Sequence, residues 1–377
     1  MLLRLLSSGL VLVGCAKEPA VVEPPPPDAP VPGDGPPVTA FAYPRGCYTV
    51  SAATSGPVDA ALLANPGLTG IAVSIEWREL ERAGDQEFDW TAIDARVAEI
   101  TATGKPTIIG VVASAAKAPD WLVARPDVTK HEIVDPNENH GTGTITVVPF
   151  WDPVFRAQKL ELIRAAGEHF AGNPQVVGVL LGFANYYTND WAIPADMVDG
   201  NYSYATMIDI GKEVLQTAAD AFPGRAIKLP LGKNDPTTDL DKTETQMADD
   251  IVAFATHASF ADRFFAQKNL INTASPRVGD PRLDDPDPST NDYLLAALRD
   301  LSPHMGLQMV ASATGGPNDG CRQNAHRSPC PAYDVMDVSL QIALSYRPTF
   351  VELWTGDAEN PDLYPLVSAA SQAMIQQ

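Results

Sequence analysis

The feature that most constrains this fold is a repeated alternation between short apolar runs and longer amphipathic stretches. Eight runs have the length and composition of buried β-strands. In chain order they span residues 47–54, 69–77, 106–114, 176–185, 226–232, 264–272, 306–312 and 349–354. Stretches with helical periodicity separate most of them, among them 91–103, 152–171, 204–222 and 334–346, and a last helix is expected over 362–376. Eight strands alternating with eight helices predict an α/β fold, the closed (β/α)8 (TIM) barrel.

An open, doubly wound sheet also alternates strands and helices, but it often carries a glycine-rich phosphate loop. Neither GxGxxG nor GxxxxGK[ST] follows the first strand, which favours the barrel. Barrel active sites lie in the loops at the C-terminal ends of the strands. Three such loops, 117–151, 186–203 and 314–333, are long and rich in polar and aromatic residues, whereas the turn at 103–105 is short. This asymmetry predicts a substrate cleft on one face of the barrel.

The first residues have the pattern of an export signal. Arg4 precedes a short apolar run that ends in Gly14-Cys15, and the run is too short for a membrane span. The ending resembles the lipobox of bacterial lipoproteins, which implies cleavage after residue 14 and a lipid on the Cys15 thiol. Ala16 is compatible with export to the outer membrane, so we expect an envelope lipoprotein tethered to a membrane. The alternative is an ordinary signal peptide with an incidental cysteine.

A proline-rich segment separates this signal from the rest of the chain. Nine of the 25 residues in 16–40 are proline, which excludes a helix or a packed strand and predicts an extended spacer. We therefore divide the chain into a signal (1–14), a lipidated linker (15–40) and a barrel domain (41–377). The formal charge of −21 argues against nucleic acid and anionic lipid as partners.

The chain has four cysteines, and Cys15 is assigned to the lipid. In an exported chain, Cys321 and Cys330 are predicted to form a disulfide within their Pro/Gly-rich segment. A metal site that includes His326 is the weaker alternative, because no second ligand pair is nearby. Cys47 is expected to be a buried thiol near the first strand. No cofactor or metal is predicted.

Side-chain alternation along the strands predicts which residues enter the barrel. In the last strand Val351 and Leu353 suit the outer face, which directs Phe350, Glu352 and Trp354 inward. The same parity places the remaining polar candidates inside the barrel, namely Glu76 at the rim of strand 2, Lys228 in strand 5 and Gln308 in strand 7.

Glu352 and Glu76 lie on strands that both neighbour strand 1 in a closed barrel, so we expect the two carboxylates to approach each other. Two carboxylates in one cleft are the basis of glycoside hydrolysis, in which one acts as acid and the other as nucleophile or base. Trp354 is placed to stack on a sugar ring. The alternative for Glu352 is a structural ion pair with Lys228. Further tryptophans, either stacking residues or ordinary rim packing, are Trp77, Trp121, Trp151 and Trp191.

The segment 75–111 together with 118–122 resembles the early part of clan A glycoside hydrolases, particularly the family 42 β-galactosidase type. The matching elements are Trp77, Leu80-Glu81, Gly84, Phe88-Asp89, Asp94, Gly104-Lys105, Pro119 and Trp121-Leu122. Arg82 replaces the proline that follows Leu-Glu in the family. The resemblance implies a (β/α)8 barrel that hydrolyses glycosidic bonds without metal or organic cofactor.

The catalytic pattern of that clan is only partly present. Its acid is the glutamate of an Asn-Glu pair ending strand 4, where this chain has Asn185 followed by Tyr186. Its nucleophile ends strand 7, where no carboxylate is found. Asp190, five residues after Asn185, is a substitute acid, and Glu352 on strand 8 is a substitute nucleophile.

Two hypotheses follow. The first is a membrane-tethered glycoside hydrolase in which Glu352 is the nucleophile or base and Asp190 or Glu76 is the acid. Its substrate-binding residues would include Asn185, Tyr186 and the inward polar and aromatic residues named above. The second is a catalytically inactive barrel lipoprotein that binds saccharide or serves as an envelope scaffold. In both, the partner is carbohydrate and the membrane is reached through the lipid; the sequence does not determine the oligomeric state.

Overall fold

The computed structural model describes residues 44–135, 143–187, 193–232, 246–269, 271–286, 291–302, 304–309, 313 and 331–377. The predicted signal and the whole of the linker, with Cys15, lie outside these ranges. So do Asp190, Trp191, Cys321, His326 and Cys330, which the sequence analysis named.

The described chain contains ten strands. They are β1 (Gly46–Ala52), β2 (Leu68–Glu76), β3 (Thr107–Val112), β4 (His131–Val134), β5 (Thr144–Val147), β6 (Val176–Leu180), β7 (Ala226–Leu231), β8 (Phe264–Lys268), β9 (Met305–Gln308) and β10 (Phe350–Leu353). All except β4 and β5 form one closed parallel barrel in the order β1-β10-β9-β8-β7-β6-β3-β2. The predicted (β/α)8 barrel is therefore confirmed, and its eight strands are the eight apolar runs of the sequence.

Eleven helices are described. They are α1 (Ala60–Ala64), α2 (Trp77–Leu80), α3 (Thr91–Thr101), α4 (Asp120–Val123), α5 (Pro153–Phe170), α6 (Tyr204–Ala221), α7 (Gln246–His257), α8 (Asn291–Arg299), α9 (Ala332–Ser345), α10 (Thr355–Glu359) and α11 (Tyr364–Ile375). Capping side chains set where the two longest helices, α5 and α6, begin. Asp152 accepts hydrogen bonds from two amides of the first turn of α5, which opens with Pro153, and Ser203 caps α6 in the same way.

The strands bury two apolar layers, as their alternation predicts. Their outward residues pack under the helices, and the inward residues form a smaller cluster that includes Tyr48, Phe265 and Phe350. Glycines make room for these rings: a Cβ on Gly70 would lie 2.3 Å from the Tyr48 ring, and one on Gly306 would lie 2.1 Å from the Phe350 ring. The lower part of the barrel is thus a packed core with no channel through it.

One proline interrupts the barrel sheet. The ladder between β6 and β7 ends at the Leu180–Lys228 pair, whereas the ladder between β7 and β8 continues to Leu231 and Lys268. Pro230 lies just after the point where pairing with β6 stops, and it has no amide hydrogen to donate. The seam between β6 and β7 therefore opens toward the C-terminal end of the barrel.

The strands β4 and β5 form an antiparallel hairpin within the long connection from β3 to α5, where the sequence analysis expected only a loop. Asp199 links this hairpin to the segment that precedes α6. One of its carboxylate oxygens lies 3.0 Å from His131 Nε2, and the other accepts a hydrogen bond from Trp151 Nε1 at 2.9 Å. Among the described residues, no helix is both long and apolar enough to cross a membrane.

A lysine is buried beneath the barrel wall. Lys159 on α5 is enclosed by apolar side chains and donates a hydrogen bond to the carbonyl oxygen of Ala113 at 2.9 Å. Because burial penalises the ammonium form, the pKa of Lys159 falls to about 7 from a usual value of 10.5. Between these pH values the unfolded chain binds more protons than the folded one, so this group makes the free energy of unfolding rise with pH.

We therefore predict that Lys159→Met increases the free energy of unfolding at pH 6 to 7, where burial of the charge costs most. Between pH 7 and 10 the free energy of unfolding should rise less steeply in the variant, by up to roughly 1 kcal/mol per pH unit. Urea unfolding at several pH values measures both effects. Lys130→Met, at an exposed lysine, is the matched control and should leave the slope unchanged. Equal slopes in Lys159→Met and the unsubstituted protein would show that the buried amine carries no such penalty.

Candidate active site at the barrel mouth

A cavity of about 260 Å³ opens at the C-terminal end of the barrel. Each of the eight barrel strands contributes to it. Its lining consists of Val50, Ser74, Glu76, Val112, Lys117, Leu180, Tyr187, Pro230, Gln267, Gln308 and Glu352. Four of these are the last residues of their strands, which places the cavity at the face where barrel active sites are found.

Glu352 lies at the floor of this cavity and is almost fully enclosed. Lys228 Nζ donates a hydrogen bond to Glu352 Oε2, and Gln308 Nε2 donates one to Glu352 Oε1. The side chains of Glu352 and Lys228 are each 1% exposed. Lys228 Nζ also lies 5.0 Å from the ring centroid of Phe350, the interior aromatic one pleat below. Glu352 therefore lines the mouth and is also ion-paired with Lys228, and its catalytic role stays a prediction.

Glu76 is the more accessible carboxylate of the cavity, with a side chain that is 32% exposed. Its Oε1 lies 2.8 Å from Lys117 Nζ, and its Oε2 lies 2.8 Å from Arg78 Nε. Lys117 is held from the other side by Tyr187, whose ring centroid is 3.9 Å from the ammonium nitrogen. A cation–π contact of this kind restricts where the lysine can move.

The electrostatic arrangement limits what the pair can do. Each carboxylate accepts a charge-assisted hydrogen bond from a lysine ammonium, and its second oxygen accepts one from Gln308 or Arg78. A nucleophile or general base uses a carboxylate oxygen, whereas a general acid must donate a proton. Both oxygens of Glu352 and of Glu76 are occupied as acceptors, so the acid step calls for another residue or for displacement of a cation from Glu76.

The two residues at the family's acid position lie beside the cavity and do not line it. Asn185 is fully buried, and its carbonyl oxygen accepts a hydrogen bond from the amide of Ala115 at 3.1 Å. The Tyr186 hydroxyl donates to Asp135 Oδ1 at 3.2 Å. Burial and the neighbouring Asp135 charge raise the pKa of Tyr186, so its phenol remains protonated. The residue of this segment that does line the cavity is Tyr187, which sequence reasoning missed.

The family-like segment builds a structural clamp around Glu81. Trp77 Nε1 donates to Glu81 Oε2 at 2.6 Å, and the amide of Gln86 donates to Glu81 Oε1 at 2.6 Å. Trp121 Nε1 donates to the carbonyl oxygen of Glu81 at 2.9 Å. Trp77 itself is fully buried and packs edge-on against Phe155. This Glu81 clamp joins the connections that follow β2 and β3, and the position of Trp77 favours packing over sugar binding.

Two other predicted aromatic residues lie apart from the cavity lining. Trp151 is mostly buried, bonded to Asp199 and packed edge-on against Tyr202 at 5.0 Å. Trp354 was expected to point inward from the last strand. It follows Leu353, the last residue of β10, in extended backbone at the start of α10; it is 46% exposed and does not belong to the cavity lining. It is free to contact a ligand outside the barrel interior.

The lining also contains residues that the sequence analysis did not name. Gln267 faces inward on β8, and the parity rule applied to run 264–272 would have found it. It donates Nε2 to Asn269 Oδ1 at 2.7 Å. Lys117 lies in a loop, where no periodicity indicates orientation. Cys47 is the buried thiol expected beside the first strand. Within the described ranges no group of three or more His, Cys, Asp or Glu side chains is arranged to hold a metal ion.

Comparison with known protein families supports the resemblance seen in the sequence. The family model of glycoside hydrolase family 42, described as β-galactosidase, matches residues 55–189. The match covers a little over a third of the chain and includes β2 to β6 and the Glu81 clamp. Glu76 lies within it, whereas Lys228, Gln308 and Glu352 lie beyond it. No curated protein sequence matches the chain.

Solved structures with the same fold include three glycosidases. The catalytic domain of a β-amylase from Paenibacillus polymyxa is 12% identical, with a TM-score of 0.56, and the alignment covers 89% of this chain and 99% of that one. A β-galactosidase from the psychrophilic Marinomonas ef1 is 12% identical, with a TM-score of 0.51, and the alignment covers 87% of this chain and 59% of that one. A β-galactosidase from the Antarctic haloarchaeon Halorubrum lacusprofundi is 13% identical, with a TM-score of 0.53, and the alignment covers 88% of this chain and 58% of that one. The chain thus spans little more than half of either galactosidase, and identities this low establish the fold alone.

The buried ion pair yields a stability prediction. Lys228→Met would leave Glu352 enclosed without its cation, and breaking a buried pair in this way costs roughly 3–5 kcal/mol. Arg78→Met, which removes a partly exposed partner of Glu76, is the matched control and should cost less than about 1 kcal/mol. Urea unfolding at neutral pH measures both. Similar costs for the two variants would mean that the Lys228–Glu352 contact is not buried in solution.

Proposed function

We propose that this protein is a glycoside hydrolase whose substrate places a sugar ring in the cavity at the barrel mouth. The observation that carries the proposal is that Glu352 and Glu76, on two different strands, line one cavity at the catalytic face of the barrel. Hydrolysis of a glycosidic bond uses such a pair of carboxyl groups. The family 42 match and the shared fold support this class of reaction.

In the proposed mechanism Glu352 is the nucleophile or general base. Lys228 and Gln308 fix both of its oxygens, so the anion is oriented before substrate arrives. A preorganised charge in a water-poor site stabilises the positive charge that develops on the sugar ring in the transition state. Glu76 and Lys117, at the more open side of the cavity, would bind substrate hydroxyl groups.

The proton donor to the leaving oxygen is proposed to be Asp190. It follows β6 by ten positions in sequence and lies outside the described residues, so the assignment rests on the sequence alone. Glu76 is the alternative donor, and it would first have to exchange its contacts with Lys117 and Arg78 for a proton. The two alternatives predict different effects of substitution.

A second function, saccharide binding without hydrolysis, is favoured by one specific observation. Both carboxylates of the cavity are ion-paired to lysines, which suits a stable binding surface as well as it suits a nucleophile. In this case the cavity would recognise a sugar ring through Gln267, Gln308 and Glu76. The measurement that separates the two functions is turnover.

The proposed acid and nucleophile predict different dependences of activity on the leaving group of the substrate. The leaving group of a 2,4-dinitrophenyl glycoside needs no acid, so Asp190→Asn should keep kcat/KM on these substrates, which reports bond cleavage; on unactivated oligosaccharides kcat/KM should fall about 10²–10⁴-fold. Glu352→Gly should be inactive on both, and added azide should restore turnover of the activated substrate by replacing the nucleophile. Initial rates on galactosides, glucosides and xylosides provide the measurement.

Asp209→Asn, at an exposed carboxylate on α6 that does not line the mouth cavity, is the matched control and should turn over substrate at the unsubstituted rate. Thermal unfolding of each variant verifies folding, since loss of Glu352 also leaves Lys228 without its anion. If the unsubstituted protein hydrolyses none of these substrates but is stabilised thermally by a sugar, the binding function replaces the hydrolase. If Glu352→Gly remains fully active, Glu352 is structural.

We also propose that Cys15 carries a lipid that tethers the barrel to a membrane of the bacterial envelope, with residues 16–40 as the spacer. The lipobox-like ending and the proline content support this proposal. In the expressing cell, the unsubstituted chain should partition into the detergent phase and the membrane fraction. Cys15→Ser should abolish that partition. Cys47→Ser is the control for loss of a thiol, and membrane recovery of Cys15→Ser would exclude the lipid.

A further inference from the structure

A second concave surface lies on the outside of the barrel and shares no lining residue with the mouth. It is an open groove of about 790 Å³ between the segment that leads into α3 and the exposed face of α5. One wall carries Gln86, Phe88 and Trp90, and the other carries Glu161, Arg164 and Glu168. We refer to these six residues as the aromatic groove.

The aromatic wall is held rigidly while remaining partly exposed. Phe88 and Trp90 are neighbours, with ring centroids 5.5 Å apart and planes inclined by 34°. Behind them, Trp90 stacks on His169 at 4.4 Å and meets the edge of Phe170 at 5.7 Å. His169 is itself fixed by Asp94, whose Oδ1 lies 2.8 Å from Nε2. These contacts present a preorganised aromatic surface, so a ligand would bind with little loss of side-chain entropy.

Gln86 projects from a strained backbone position at the same wall. Its φ is 63°, in the left-handed region that residues with a Cβ seldom occupy. The Glu81 clamp stabilises this conformation, because Glu81 Oε1 accepts the Gln86 amide hydrogen at 2.6 Å. The side chain of Gln86 is exposed and lines the groove. The Gln86 side chain, which ends in a polar amide, therefore extends from a fixed backbone position beside the two aromatic rings.

The opposite wall supplies polar groups that are available for binding. Glu161, Arg164 and Glu168 occupy one face of α5, and the described structure contains no hydrogen bond or ion pair from these three side chains. Ala157 and Ala165 lie between them and keep the groove open. Two carboxylates and one guanidinium give this wall no excess of positive charge, and the chain carries a formal charge of −21. Anionic ligands are therefore disfavoured.

We propose that the aromatic groove is a second saccharide-binding site, for a neutral oligosaccharide chain. Phe88 and Trp90 would cover the apolar C–H face of the sugar rings, and the planar groups of Gln86, Arg164 and Glu168 would bond their hydroxyls. The groove has about three times the volume of the mouth cavity, 790 against 260 Å³, which suits several sugar units. The inference takes its ligand class from the proposed function, but it does not depend on hydrolysis at the mouth.

The test is adsorption to polysaccharide. The protein should be retained by insoluble cellulose, xylan or galactan, and the matching oligosaccharides of four to six units should shift its tryptophan fluorescence. The double variant Arg164→Ala/Glu168→Ala and, separately, Phe88→Ala should each weaken adsorption at least tenfold. Thermal unfolding verifies that the variants are folded, and Lys130→Ala serves as the matched control for loss of an exposed cation.

Each result bears on one site. Turnover of aryl glycosides reports on the mouth, whereas adsorption of the chain reports on the groove, so either proposal can fail while the other stands. Adsorption that is lost in both groove variants and retained in Lys130→Ala supports the groove. Unchanged adsorption in folded groove variants overturns it, and so does the absence of adsorption and of any fluorescence shift in the unsubstituted protein.

Discussion

A closed ring of eight parallel strands has no edge, so alternate side chains of every strand must share one interior. That constraint governs the rest of this structure. The lower interior is filled by Tyr48, Phe265 and Phe350, and the next level contains two charges. Because the surroundings exclude water, Lys228 and Glu352 can be accommodated only as partners. The mouth cavity begins where this packing ends, and its floor is therefore both polar and fixed.

Glu352 consequently combines two roles that are usually discussed as alternatives. Its contacts with Lys228 and Gln308 are those of a structural ion pair, yet it also lines the cavity. A carboxylate held by neighbours costs no reorganisation when charge develops beside it, and this is how preorganised sites stabilise transition states. The same burial makes the barrel sensitive to loss of either partner. In the proposed mechanism, stability and chemistry are therefore coupled at this position.

The regular part of the structure was predictable from the sequence, and the irregular part was not. Strand alternation depends on local periodicity, so the eight strands and the inward positions of Lys228, Gln308 and Glu352 followed from pattern alone. Lys117 and Tyr187 lie in loops, and contacts distant in sequence determine their orientation. Trp354 comes one residue after the end of β10 and is not part of the cavity lining, so its predicted contact with a sugar stays a prediction. The hairpin of β4 and β5 carried a readable signal in the alternating "TITV" run of β5, which the length of the connection obscured.

The Glu81 clamp affects how the likeness to glycosidases is understood. Glu81 accepts three hydrogen bonds, from Trp77, Trp121 and the amide of Gln86, and all four residues lie within the span that matches family 42. A chain could change its reacting groups entirely and still need this joint to close its ring of strands. Similarity over such a span therefore describes a shared framework. The proposed nucleophile, Glu352, and its partners Lys228 and Gln308 all lie outside the span, so the match does not bear on them.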